Sequence, residues 1–152
     1  MRRSTIAMLA LIVACTGAYA EEPPVLKGTW SGPFQTIIRG HNAEYPGNDT
    51  VVDPPRVRQS EMTVEFEGQE GRLAWGQYWS DPKGKQPFVG TITADGKRLL
   101  GADWNGSIDA DISNLDLLDF CYTQTGVSEA ESIVASCGRI KRTSMPLGPL
   151  AH

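Results

Sequence analysis

Short strand-like runs separated by turn residues follow one another along most of this chain, and this spacing restricts the fold more than any other feature. The runs lie at residues 26–38, 60–67, 71–80, 87–94, 97–104, 107–113, 117–124 and 134–142. Gly, Pro, Asn and Asp lie between them, and no segment shows a sustained helical period. The sequence therefore predicts an all-β domain of eight strands.

The turns between these runs are short, which makes neighbouring strands antiparallel. Asp95-Gly96 and Asn105-Gly106 are typical two-residue hairpin turns, and Gly68 to Gly71 can close a third hairpin. Eight strands joined in this way close most economically into an up-and-down barrel, because closure leaves no unpaired edge. We predict such an eight-stranded antiparallel barrel, with a β-sandwich as the alternative.

The N-terminus has the features of an export signal. Two arginines precede an apolar run from Ile6 to Ala14, and Ala18-Tyr19-Ala20 is a typical cleavage sequence. We predict that residues 1–20 are a signal peptide and that the protein is periplasmic or secreted. The alternative is a lipoprotein anchored through Cys15, which ends a lipobox-like sequence. No later apolar run approaches the ~20 residues of a transmembrane helix, so we expect no membrane span.

The charge of the chain argues against a nucleic-acid partner. Removal of residues 1–20 leaves 12 of the 14 basic residues and all 18 acidic residues, so the formal charge becomes 12 minus 18, or −6. Such a surface is repelled by phosphate backbones and by anionic lipid headgroups. The partners that remain are a small-molecule ligand and a periplasmic protein.

The exported chain has room for one domain with a core of its own. We expect a flexible leader at 21–25, a barrel domain at 26–143 and an irregular tail at 144–152, which contains two prolines.

One long segment interrupts the regular spacing of strands. Residues 40–59 contain three prolines and no sustained alternation, which predicts a long loop over one mouth of the barrel. The loop is either a lid, with His41, Tyr45 and Arg56 facing a ligand, or a tolerated surface insertion.

Two cysteines remain after signal cleavage, in a compartment that permits disulfides. Cys121 and Cys137 are equally far from residue 129, the middle of the polar stretch between the last two predicted strands. A hairpin centred there places the two residues opposite each other, within bridging distance. We predict one disulfide, with two buried free thiols as the alternative.

A short motif adds a family resemblance. Gly28-Thr29-Trp30 on the first strand, the eight predicted strands and an arginine near the end of the last strand resemble the calycin barrels, the lipocalin and avidin group. The resemblance implies that Trp30 plugs one barrel end, with Arg139 or Arg142 across its ring. Such a contact is favourable, because an indole face attracts a guanidinium. The stretch from Phe88 to Arg142 also resembles a group of small exported bacterial proteins, a similarity that implies no function.

Strand alternation assigns large side chains to the interior. On the third strand we expect Leu73, Trp75, Gln77 and Trp79 to share the inner face, and on the fifth Leu100, Ala102 and Trp104, which would point Asp103 to solvent. The candidate ligand-lining residues are therefore Phe34, Phe66, Trp75, Trp79, Phe88, Trp104 and Tyr122. A barrel of this size either fills with side chains or keeps room for one small ligand.

Residues that would mark a reaction are few. The two histidines, His41 and His152, lie in a loop and at the terminus, which argues against a catalytic triad or a zinc site. The acidic run 109–116 resembles the start of a calcium loop, but Phe120 stands where a bidentate Glu is needed. We expect no metal and no cofactor.

The function predicted first is a periplasmic binding protein for a small apolar or aromatic molecule held in the barrel interior. One alternative is a protein-interaction module, such as a periplasmic protease inhibitor or an envelope assembly factor, which a filled interior would favour. The other is a small barrel enzyme, which inward-facing carboxylates with a perturbed pKa would favour.

Overall fold

The computed structural model describes residues 22–40, 54–80, 84–126 and 132–144. Over these residues the chain forms eight antiparallel strands that pair in sequence order and close into one barrel. The strands are β1 (Gly28–Arg39), β2 (Arg56–Glu70), β3 (Leu73–Trp79), β4 (Gln86–Ile92), β5 (Arg98–Ala102), β6 (Gly106–Asn114), β7 (Leu117–Gln124) and β8 (Ile133–Ser144). The predicted up-and-down barrel is confirmed, and the sandwich alternative is wrong.

Several predictions lie outside the described residues. These are the signal peptide at 1–20, the lipobox cysteine Cys15, the loop residues His41 and Tyr45, and the tail beyond residue 144. Within the described ranges, no helix has the length and apolar character needed to cross a membrane.

Closure of the barrel depends on β1, which pairs with β2 on one side and with β8 on the other. Glycines with positive φ form two of the hairpin turns, Gly71 between β2 and β3 and Gly96 between β4 and β5. The β5–β6 turn lies one residue before the predicted Asn105-Gly106: Asp103 N donates to the Gly106 carbonyl at 3.2 Å, so Trp104 and Asn105 form the turn and Gly106 begins β6. Asp103 Oδ1 accepts hydrogen bonds from the amides of Asn105 and Gly106, at 2.8 and 2.6 Å. This Asp103 side chain becomes important for the candidate site.

The interior is a single apolar cluster to which every strand contributes. A column of aromatic rings runs through it from Trp30 to Phe66, Phe88 and Tyr78, with successive ring centroids 6.2, 5.2 and 6.4 Å apart. Edge-to-face packing of such rings adds to the ~1.5–3 kcal/mol gained by burying each large apolar side chain. The column therefore links the two ends of the barrel through its core.

A bulge in β2 changes which of its side chains face inward. Phe66 lies opposite Gly76 on the inner face, whereas Gly68 lies opposite Trp75 on the outer face, so Glu67 is the extra residue. A Cβ at Gly68 would collide with the Trp75 indole, which shows that this ring lies directly over the glycine.

The segment before β1 is attached to the barrel. Leu26 is fully buried, its amide donates to Gln69 Oε1 at 2.8 Å, and Gln69 Nε2 donates to the Pro24 carbonyl at 3.0 Å. The Arg142 guanidinium donates a hydrogen bond to the Val25 carbonyl. The carbonyls of Pro24 and Val25, the last residues of the predicted flexible leader, are therefore both hydrogen-bonded to the barrel.

The predicted disulfide is confirmed. Cys121 on β7 and Cys137 on β8 are register partners with a Cα–Cα distance of 4.1 Å, and both are exposed on the outer face. The bridge ties together the hairpin that precedes barrel closure.

Candidate functional site

Trp30 closes one end of the barrel. Its side chain is 0% exposed, and its Nε1 donates a hydrogen bond to the Leu26 carbonyl at 2.8 Å. The Arg142 guanidinium lies over the indole, with its Cζ 4.3 Å from the ring centroid. The ring is therefore both core and the floor under a buried cation.

The Arg142 guanidinium is held by backbone carbonyls on two sides. It donates to Val25 at 2.6 Å, to Lys27 at 2.7 Å, and to Leu115 at 2.7 and 3.1 Å, and it pairs with Asp116 at 3.1 Å. Only 5% of its side chain is exposed. These bonds join the N-terminal segment and the β6–β7 turn over Trp30.

Arg139, the other arginine that the calycin resemblance offered for this contact, lies elsewhere. Its guanidinium pairs with Asp119 at 2.6 Å on the outer face of the barrel. The prediction that it covers Trp30 is wrong, because Ile140 faces the core and its neighbour in the strand must face outward.

The opposite end of the barrel, which we call the mouth, carries polar inward-facing side chains. The strands β1, β3, β5 and β7 end there, and β2, β4, β6 and β8 begin there. Thr36 and Ser136 are buried on β1 and β8, where the Ser136 hydroxyl donates to Thr36 at 2.6 Å. Ile38 and Val134, which are also buried, lie nearer to the mouth on the same strands, so this polar pair lies between apolar side chains.

Two tyrosines and an aspartate at the mouth form what we call the mouth cluster: Tyr78, Asp103 and Tyr122. The Tyr78 hydroxyl donates to Asp103 Oδ2, and the Tyr122 hydroxyl reaches Asp103 Oδ1 at 3.5 Å and Gln124 Oε1 at 3.3 Å. Because β3 and β7 lie on opposite sides of the barrel, the two rings meet across its axis, with centroids 6.2 Å apart.

Asp103 belongs to this cluster although the sequence predicted that it points to solvent. That prediction was wrong because it placed Leu100 inside, whereas Leu99 is the buried residue, at 2% exposure. Inward positions on this side of the barrel therefore fall at 99 and 101, and Asp103 continues them beyond the end of β5. The sequence signal that could have identified the cluster is an acidic residue directly before a hairpin turn, together with a tyrosine at an inward position near the mouth end of β3 and another near the mouth end of β7.

Burial raises the pKa of Tyr78 far above its ordinary value, and the hydrogen bond and charge of Asp103 raise it further. A phenol in this setting keeps its proton at neutral pH. Tyr78 therefore acts as a hydrogen-bond donor and not as a general base.

A cavity of about 40 Å³ lies beneath the mouth cluster. It is lined by Met62, Val64, Phe66, Tyr78, Phe88, Leu99, Ile108, Ala110, Leu118, Phe120, Tyr122 and Ile140. The two tyrosines thus contribute rings to the cavity and hydroxyls to the cluster above it. The volume corresponds to about three water-sized spheres.

The structure divides the predicted ligand-lining residues into two groups. Phe66, Phe88 and Tyr122 line the cavity, and Phe34 is buried in the core beside it. Trp75, Trp79 and Trp104 do not face the interior, so their predicted placement was wrong.

The three tryptophans lie outside because smaller residues occupy the inner face of β3 and β5. Trp75 is 43% and Trp104 82% exposed, and the Trp79 ring carries the Lys85 ammonium 4.1 Å from its centroid. At Gly76, on the inner face of β3, a Cβ would collide with the Glu65 backbone. Steric limits of this kind, which alternation alone does not show, decided the face.

Arg56 is the described member of the predicted lid residues. It begins β2 at the mouth, and its Nη2 donates to the Gly40 carbonyl at 3.1 Å. This bond connects the end of β1 to the start of β2.

An exposed apolar area, which we call the sheet face, lies on the outside of β3, β4 and β5. It consists of Leu73, Trp75, Val89 and Leu100, all of them more than two fifths exposed. Trp75 is opposite Val89 in the register, and Leu73 and Leu100 are both opposite Thr91, so the side chains form a continuous surface.

Among residues 22–40, 54–80, 84–126 and 132–144, no three His, Cys, Asp or Glu side chains lie close enough together to hold a metal ion. The acidic run that resembles a calcium loop instead bonds to arginines, through Asp109 and Asp111 to Arg98 and through Asp116 to Arg142.

Comparison with known proteins adds one structural likeness. No protein-family model and no curated protein sequence matches this chain significantly. Among solved structures, the chain is similar to the S-type phycobiliprotein lyase CPES from Guillardia theta, with 12% sequence identity and a TM-score of 0.33. The alignment covers 79% of this chain and 89% of the lyase chain.

Proposed function

We propose that this protein binds a small molecule at the mouth of the barrel, with an apolar end of the ligand in the cavity and a polar end at the mouth cluster. The observation that carries the proposal is the position of the apolar cavity directly below Tyr78, Asp103 and Tyr122. Apolar walls with a few convergent polar groups are the usual composition of a small-molecule site.

The size of the cavity limits how much of the ligand can enter the barrel. At about 40 Å³ it is far smaller than the ~300–1,000 Å³ of a site that encloses a whole drug-sized molecule. A ligand held entirely in the interior, as the sequence suggested, would require the core to repack. We therefore propose that only a short apolar group enters, after one of the two tyrosine rings turns aside.

The compartment belongs to the same proposal. A disulfide between exposed cysteines is maintained in an oxidising environment, which fits an exported protein. We propose that the chain is cleaved after Ala20 and works in the periplasm or outside the cell. Intact mass measurement of the protein from its native source would show a chain beginning at Glu21; a lipidated Cys15 would contradict the proposal.

The test of ligand binding uses two matched alanines. Ala110 lines the cavity and is 2% exposed, whereas Ala102 is exposed on the outside of the neighbouring strand β5. Valine at position 110 would fill part of the cavity, and valine at position 102 would not.

A fragment library screened by methyl NMR should give ligands that shift the Met62, Leu99 and Ile108 methyl signals. Ala110→Val should abolish these shifts, and Ala102→Val should leave them unchanged. Fragments that bind Ala110→Val as well as the original chain would show that the cavity is not the site.

A second candidate function is protein interaction through the sheet face. The interior is mostly filled, and exposed contiguous apolar surface commonly marks an interaction site. Glu67 and Glu70 give this area an acidic margin along β2, whereas on the β6 side Asp109 is paired with Arg98. We propose a protein partner with an apolar centre and a basic margin, since a second copy of this chain would bring like charges together.

Photo-cross-linking from position 89 in the native compartment would capture such a partner, which would then be purified and measured directly. Val89→Asp should weaken its binding at least about tenfold, as expected for a charge buried at an interface centre. Val57→Asp, at an equally exposed valine on β2, should not. Equal binding by both variants would overturn this candidate.

We do not propose a reaction. Tyr78 keeps its proton, and Asp103 Oδ1 accepts the two backbone amides of its turn.

A further inference from the structure

We infer that the ligand of the mouth site carries a protonated nitrogen, and that it is a small organic cation with a short apolar chain. The inference rests on the proposed binding function and adds the chemical class of the ligand.

The first argument is the charge of Asp103. An ionised carboxylate only accepts hydrogen bonds and has about four acceptor positions. Oδ1 accepts the amides of Asn105 and Gly106, while the donor to Oδ2 among the described residues is Tyr78. Oδ2 thus has a position for a further donor, and a cationic donor gives the strongest bond there.

The second argument is the aromatic surface beside that oxygen. The Tyr78 and Tyr122 rings lie 6.2 Å apart, and the Phe88 ring lies 6.4 Å from Tyr78. Aromatic faces attract ammonium groups, most strongly where water is excluded. A carboxylate among such rings favours a cation over a neutral alcohol and disfavours a carboxylate ligand.

The described basic residues at this end are Arg39 on β1, Arg56 and Arg58 on β2, and Lys85 before β4, which pairs with Glu65 on the outer face at 3.8 Å. Arg56 and Arg58 are on β2, which is separated from the β5–β6 turn of Asp103 by two strands on one side and by three on the other. Arg56 bonds to the Gly40 carbonyl, and Arg58 lies opposite Thr36 in the register. The charge nearest to the two tyrosine hydroxyls is therefore negative.

The cavity sets the length of the apolar chain. Its volume of about 40 Å³ holds about three heavy atoms below the two rings. The suitable probes are n-propylammonium, 1-propanol and propionate, which share this chain length and differ in charge.

The experiment titrates each probe into the full chain at neutral pH and follows the methyl signals of the cavity by NMR. Affinities of such small ligands lie in the millimolar range or just below it. We expect n-propylammonium to bind roughly tenfold more tightly than either 1-propanol or propionate.

Asp103→Asn should bring the ratio of ammonium to alcohol affinity close to one. The asparagine oxygen can still accept the turn amides, so the turn should persist. Asp111→Asn removes the same charge from the outer face and should leave the ratio unchanged.

A second variant keeps the inference testable if Asp103→Asn does not fold. Tyr78→Phe removes the hydroxyl that occupies Oδ2 and keeps the ring, so the preference for ammonium should be retained or increased. Loss of that preference in Tyr78→Phe would overturn the inference.

The remaining outcomes separate the inference from the proposal on which it rests. If the three probes bind the cavity with equal affinity, or propionate binds best, the site exists and the cation inference is wrong. If none of them shifts a cavity methyl signal and the fragment library also yields no cavity ligand, the proposed function itself is wrong.

Discussion

The two ends of this barrel both join a charged side chain to aromatic rings, yet they differ in how completely the charge is bonded. At the closed end, backbone carbonyls and Asp116 surround the guanidinium of Arg142, and 5% of the side chain is exposed. At the mouth, Asp103 is partly exposed, and its Oδ2 accepts one hydrogen bond from the described residues. The comparison teaches that a charged side chain packed against aromatic rings closes the barrel end when other protein groups fill all of its hydrogen-bonding positions. When one hydrogen-bonding position remains, the same arrangement offers a place for a ligand.

The aromatic column makes this comparison testable, because it connects both ends. Trp30 contacts Phe66 at the closed end, and Tyr78 contacts Tyr122 at the mouth. We expect substitutions at the closed end to change stability most, and substitutions at the mouth to change stability little.

The largest effect is expected at Trp30. Trp30→Ala should lower the free energy of unfolding by about 3–5 kcal/mol, because it leaves a cavity in a fully buried site. Trp104→Ala, at a side chain that is 82% exposed, should cost less than about 0.5 kcal/mol. Urea unfolding measures both values, and similar losses for the two variants would contradict the assignment of Trp30 as the closing residue.

The disulfide is expected to come next. Replacing both Cys121 and Cys137 by serine should cost about 3 kcal/mol, from the lost restriction of the unfolded chain. Because Arg142 independently ties down the closed end of β8, amide exchange should accelerate more at 134–136 than at 140–142. Uniform acceleration along β8 would show that the two ends are not held differently.

Arg142 and Arg139 provide a direct comparison between two arginines of one strand. Arg142→Gln should cost about 2–3 kcal/mol, because it removes the guanidinium hydrogen bonds to three backbone carbonyls and the cation contact with the Trp30 ring. Arg139→Gln breaks an exposed pair with Asp119 and should cost much less than Arg142→Gln. Equal costs in urea unfolding would mean that the Arg142 network does not close the barrel.

The smallest effect is expected at Tyr78, where it depends on pH. Because the folded pKa is raised, this phenol's contribution to stability is complete below the unfolded pKa of about 10 and declines as pH rises above it. Tyr78→Phe should therefore cost about 1 kcal/mol at neutral pH and make the alkaline loss of stability less steep.

Unfolding curves on both sides of that pKa, together with tyrosinate absorbance, measure the Tyr78 effect. An unchanged alkaline slope in Tyr78→Phe would contradict the raised pKa.

Much of the fold could be predicted because it depends on local patterns. Turn residues located all eight strands, and the symmetric spacing of Cys121 and Cys137 located the disulfide. Inward positions were predicted correctly for Trp30 and Phe34 on β1, where only one face of the strand carries bulky side chains.

The candidate site was harder to predict, because β3 and β5 carry large side chains on both faces. On β3, Trp75 and Tyr78 lie on opposite faces, and alternation is satisfied by either choice. The face of β3 that points inward is decided by the space available on each side. The small residues Ala74 and Gly76 fit the narrow interior, and Gly68 on the outer face leaves room for the Trp75 ring.

The sequence by itself determined the strands, the order of the hairpins and the pairing of the cysteines, because these depend on alternation and turn chemistry within a few residues of each other. Only the tertiary structure decided that Arg142 and not Arg139 lies over Trp30, and that Asp103 meets Tyr78 and Tyr122 at the mouth. The first contact joins β8 to β1, the pair of strands that closes the barrel, and the second joins strands on opposite sides of it. Both depend on closure and on the volume inside the barrel, neither of which is written in any single strand.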